Sequence, residues 1–239
     1  MMFDRSEVFI PSLVLEDKDV LKVMGATGRA ANELQAEISE AVEMVKESSI
    51  PRAVHRAVRV ESIENAGVTF GSGHMISGKF ASHLFEGADH AIFVIATLGA
   101  ELDRKIAQLM KNGENIEAVI TDAAGTAAAF NTFTSVLEHL LLQAYSSGQK
   151  MGACLRPGQS YWDISGQSVI FEVLKPGEIG VELLESSFMK PQKSQSGIIP
   201  VGTSLVIEDD PSKGYCRYCP ASKCPMRIEE YYPSDKIGS

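Results

Sequence analysis

The chain has 239 residues, 44% hydrophobic and 22% charged, a balance that suits a globular body with a substantial core. Its net charge of −9 and its lack of a basic stripe argue against a nucleic-acid partner, because such proteins gather Lys and Arg to neutralise phosphates. The first residues carry acids and no uninterrupted apolar run, and the longest apolar stretches, 91–98 and 119–130, fall short of the roughly 20 residues of a membrane span. No secretory signal and no membrane partner are therefore expected, and the expected compartment is the cytoplasm.

In chain order, the apolar spacing over 16–24 predicts a short helix stopped at Gly25. Leu34, Ile38, Ala41, Val42 and Val45 predict a second, amphipathic helix over 29–47. After Pro51 the rough alternation over 52–61 predicts a half-buried strand, with 66–70 pairing back onto it. Residues 90–97 are apolar at nearly every position and read as a central strand, turning through Leu98-Gly99 into a helix over 100–111. The longest helix is predicted over 116–145. Its small residues around Gly125 place it in the middle of the molecule. Beyond Gly148, loops alternate with short strands at 181–184 and 197–201 and a helix at 165–174.

These elements predict an α+β fold: a twisted, mostly antiparallel sheet with flanking helices and a long central helix. One domain over 1–209 is expected, followed by a cysteine-rich tail over 210–239.

Three stretches carry the chemistry. The first, 156–167, opens Arg156-Pro157-Gly158 and holds Tyr161 and Trp162. The second, 185–197, reads Glu185-Ser-Ser-Phe-Met-Lys-Pro-Gln-Lys-Ser-Gln-Ser-Gly197. The third holds Cys216, Cys219 and Cys224. An Arg offers paired charge-assisted hydrogen bonds to a carboxylate, Pro-Gly lets backbone approach a ligand, and aromatics stack on a base or cover a cation.

Cysteines three apart on a turn can direct two sulfurs at one ion, and Cys224 can close the face. Three thiolates are one short of a zinc site or an iron–sulfur cluster, with Cys154, a histidine, water or a partner side chain as the fourth ligand. The spacing does not choose between zinc and iron–sulfur. The five histidines are scattered, and none forms a hydrolytic triad by spacing.

The first two stretches resemble the paired signatures of the reactivation domain of cobalamin-dependent methionine synthase, and the third resembles the cysteine-rich tail of stand-alone relatives associated with corrinoid methyltransferases. One departure is Gln159, which stands where methionine synthase has a tyrosine. The resemblance implies binding of S-adenosylmethionine (AdoMet), and reductive methylation of the Co(II) corrinoid carried by a partner methyltransferase or corrinoid protein. It makes Arg156, Pro157, Gly158, Tyr161, Trp162 and Glu185 the expected ligand contacts. No protein acid or base is expected to act catalytically. Two other readings stand beside it: a cap or chaperone for a corrinoid protein without AdoMet, and an iron–sulfur redox protein serving the same system.

Overall fold

The computed structural model describes residues 6–159, 162–213, 216–219, 221, 223, 224, 227 and 229–231. The chain begins with β1 (Glu7–Phe9), α1 (Asp17–Met24), α2 (Arg29–Glu33) and α3 (Gln35–Ser48). There follow β2 (Arg52–Glu64), β3 (Gly67–Phe70), β4 (Met75–Ser77), α4 (Lys79–Leu84) and β5 (His90–Thr97). Then come α5 (Ala100–Asn112), α6 (Asn115–Ser146), β6 (Lys150–Met151), α7 (Gln167–Leu174), β7 (Glu182–Leu183), β8 (Met189–Lys190) and β9 (Ser194–Gly202).

Among the described residues, one sheet runs in the order β4-β3-β2-β5-β9-β6, with β1 added to the first half of β2, and every pairing is antiparallel. The alternation of side chains along the strands divides the core. Val54, Val58, Phe93, Ile95 and Ile198 point towards α4 and α7. Ala53, Ala57, Val94, Ala96 and Ile199 point the other way, onto Phe133, Val136, Leu137 and Leu140 of α6. The N-terminal half of α6, with Ala123, Ala124, Ala127 and Ala128, is instead wrapped by α1, α3 and α5.

At 32 residues α6 is about 48 Å long, so one half can lie on the sheet and the other on helices. Contact on several sides explains why it is alanine-rich: small side chains allow several backbones to approach together. The α+β class, the antiparallel sheet and the long helix are as expected from the sequence.

Some boundaries differ for local reasons. The single helix expected over 29–47 is two, joined at Leu34, whose backbone leaves the helical region (φ −104, ψ 8). The helix expected from 165 begins as a 3-10 turn over Ile164–Gly166, capped where Asp163 Oδ1 accepts from the Ser165 amide at 2.9 Å. The strand expected over 181–184 is a two-residue arm of a small hairpin, β7–β8. That expected over 197–201 is the end of β9, which pairs along its length with β5.

Candidate ligand groove at the open edge of the sheet

β9 has β5 along one side. On the other it pairs only at Val201 and Gly202 with β6, plus a single bridge from Ile198 to Leu155. Residues 194–197 therefore have no ladder partner on that side among the described residues; Ser194, Ser196 and Gly197 are buried, and Ser194 lines a groove beside them. Both signature stretches meet at this edge. Leu155 and Ile198 exchange both backbone hydrogen bonds at 2.8 Å, which sets the Arg156-Pro157-Gly158 turn against β9. Buried Ser196 donates through Oγ to Gln167 Oε1 at 2.7 Å, which ties the start of α7 to the same strand.

Between Ile164 and Gln167 on one side and Leu184, Met189, Lys193 and Ser194 on the other lies a groove of about 450 Å³, with Asp122 of α6 at its wall. That volume lies within the range of small-molecule sites. The period of two along β9 sends Lys193, Gln195 and Gly197 to the α6 side, where Asp122, Thr126, Phe130 and Phe133 form a stripe at helical spacing. Lys193 Nζ donates to Asp122 Oδ1 at 2.8 Å and to Thr126 Oγ1 at 3.0 Å. Two residues on, Gln195 Oε1 accepts from Arg156 Nη1 at 2.8 Å, and the Arg156 guanidinium lies 4.6 Å from the centre of the Phe133 ring. Burial pushes the neighbouring Cys154 thiol up, and the Arg156 charge opposes that only in part.

The expected contacts are thus partly assembled. Arg156 sits beside the edge strand with its guanidinium against Gln195 and Phe133, and the residue helps line a cavity of only about 20 Å³ with Trp162 and Tyr218. Pro157 is half-buried. Gly158 has φ +84 and gives its amide to Trp162 O at 2.8 Å, so the turn closes on itself. Trp162 packs against the core on the α4–α7 side. Tyr161 lies outside the described residues. Glu185 is exposed at the turn of the β7–β8 hairpin and lines neither cavity.

The groove's charged members, Asp122 and Lys193, went unassigned in the sequence. The available signal was a lone carboxylate interrupting an apolar helix, which marks a point on that face able to pair with a buried cation such as Lys193.

In the tail, Cys216 is buried and Cys219 and Cys224 are half-buried, all three as free thiols. Their loop closes around a guanidinium. Arg227 donates to the carbonyls of Cys216 (2.9 Å), Glu229 (2.9 Å), Ala221 (3.1 Å) and Cys219. Among the described residues, no three His, Cys, Asp or Glu side chains are grouped to hold a metal ion. The expected zinc or iron–sulfur site at Cys216, Cys219 and Cys224 is thus not shown by the structure. Tyr218 packs its ring edge-on to Phe80 at 5.1 Å and is buried in the core on the α4–α7 side. No described helix is long and apolar enough to cross a membrane.

An antiparallel sheet with a long helix across it, flanking helices and two signature segments meeting at one edge strand define the reactivation-domain fold. The chain is similar in structure to the MetH reactivation domain, solved with AdoHcy bound: TM-score 0.64 at 14% identity, over 88% of this chain and 82% of that one. At that identity the likeness is one of fold. No protein-family model matches the sequence, and no curated protein matches it.

Proposed function

We propose that the chain binds AdoMet in the groove lined by Ile164, Gln167, Met189, Lys193 and Ser194 and presents its methyl group to the corrinoid of a separate methyltransferase or corrinoid protein. The observation that carries this reading is that two sequence-distant signature stretches share one groove, beside an edge strand, in a fold also found in a domain solved with AdoHcy. When bound to its own protein, the corrinoid would supply the cobalt that accepts the methyl, and an external reductant the electron. This chain would contribute positioning, holding the ligand where a partner can reach it. The exposed Leu184 and Phe188 on the hairpin beside the groove offer an apolar surface for that partner.

The test is anaerobic: Co(II) corrinoid protein, reductant and AdoMet with or without this chain, following methylcobalt by absorbance. Acceleration that requires AdoMet supports the reading. Equal rates with and without the chain would sink it.

A second reading, a corrinoid-protein cap without AdoMet, is favoured by one set of observations: Arg156 is engaged with Gln195, and Glu185 lines neither cavity. Calorimetry separates the two, since no heat at millimolar AdoMet would select the cap.

A further inference from the structure

The Lys193–Asp122 pair is built in a way that a stability role alone does not require. The Lys193 side chain is 9% exposed, while that of Asp122 is 45% exposed and open to the groove. The lysine stem runs over Gly125, where any Cβ would come within 3.1 Å of Cε. Thr126 Oγ1 accepts from Nζ and donates to the Asp122 carbonyl at 3.0 Å, so its hydroxyl is used on both sides and the ammonium is fixed. An ammonium has three hydrogens, and two are used here. Asp122 Oδ2 makes no hydrogen bond among the described residues. The groove therefore presents one spare cationic donor beside one spare anionic acceptor, on groups already held in place.

We propose that this pair recognises the zwitterionic end of a free α-amino acid, the ligand carboxylate joining Lys193 Nζ and the ligand ammonium joining Asp122. The four charges would alternate around a ring, each between two of opposite sign, a pattern that neither a lone carboxylate nor a lone amine completes. The assignment rests on the AdoMet reading and sharpens it. Lys193 anchors the carboxylate, while the Arg156 guanidinium is taken up by Gln195 and the Phe133 ring.

The test uses calorimetry with AdoMet and decarboxylated AdoMet, which lacks only the carboxylate, on the intact chain, Lys193→Met and Asp122→Asn. The intact chain should prefer AdoMet by about tenfold or more, the range for a charge-assisted hydrogen bond. Lys193→Met should erase that preference by weakening AdoMet alone, leaving the decarboxylated ligand within about threefold of its intact-chain affinity. Asp122→Asn should weaken both ligands, since both keep the ammonium.

If the intact chain binds AdoMet and Lys193→Met keeps the full preference, this assignment is wrong while the AdoMet reading stands. If the intact chain binds neither ligand, both fall. Should Lys193→Met fail to fold, the intact-chain preference together with Asp122→Asn decides: no preference, or unchanged affinities, overturns the assignment.

Discussion

Gly197 packs directly against the residues that lead into the first signature stretch, and replacing it with alanine has a cost that follows from the packing. A Cβ there would lie 2.3 Å from Cys154 Sγ, 3.0 Å from Leu155 O and 3.6 Å from Phe133 Cζ. Non-bonded carbons settle at about 3.5–4.0 Å, so Cys154 would have to withdraw by more than about 1 Å. It has nowhere to go: Cys154 is 1% exposed and Phe133 fully buried.

Overpacking of this kind costs about 1–3 kcal/mol, and contact with two fixed neighbours puts Gly197→Ala at the upper end, about 3 kcal/mol. For a chain of this size that is a melting-point drop of about 6–12 °C. Urea unfolding should show a lower midpoint with an unchanged slope. Cys154→Ala in the same chain removes the sulfur and should recover about 1–2 kcal/mol in a double-mutant cycle, while the Leu155 carbonyl keeps the rescue partial. A Gly197→Ala protein within about 0.5 kcal/mol of the parent, or strict additivity, would refute the reasoning and with it the seating of the Arg156 turn on β9.

Arg156→Ala should destabilise by about 1–2 kcal/mol in the same assay, through loss of the Gln195 bond and the Phe133 contact, and Arg156→Lys should recover little because an ammonium cannot lie flat on the ring while reaching Gln195. Burial holds His55 below the ordinary histidine value of 6.5, against an opposing pull from Glu7. Unfolding therefore takes up a proton at mildly acidic pH. Stability should be retained above about 6.5 and fall as pH drops below it, and His55→Gln should flatten that part of a melting-point profile. Under a thiol reagent the half-buried Cys219 and Cys224 should react first, and Cys154 only on unfolding, because burial keeps its thiol protonated. Arg227→Ala removes the guanidinium that binds four loop carbonyls, and should raise Cys216 reactivity by about tenfold or more through local opening.

The elements legible in the sequence are those whose burial pattern is complete within one segment. Residues 90–97 carry apolar side chains to both faces because β5 lies between β2 and β9 with core on each side. The alanine-rich run of α6 reads as a central helix for the same reason. β1, β4 and β6 were not legible, since two or three residues hold no period and become strands only through their partners.

At the candidate site, composition picked out the segments and tertiary contact assigned their roles. Met-x-Pro-x-x-Ser-x-Ser-Gly marks β9 as unusual, yet nothing in it says that Lys193 faces α6 while Ser194 and Ser196 face α7. That follows from the register with β5. Asp122 and Lys193 are 71 residues apart and become one charged pair only because α6 crosses β9 at the groove. Arg156 was legible as a cation beside a Pro-Gly turn. Its engagement with Gln195 depends on a bridge between Leu155 and Ile198 that no local propensity encodes. The sequence by itself determined the longer helical and extended segments and which segments carry unusual chemistry, because those are properties of neighbours along the chain. Which charges face the groove and which are taken up inside the protein was decided by strand register and helix crossing, which are properties of residues distant in sequence.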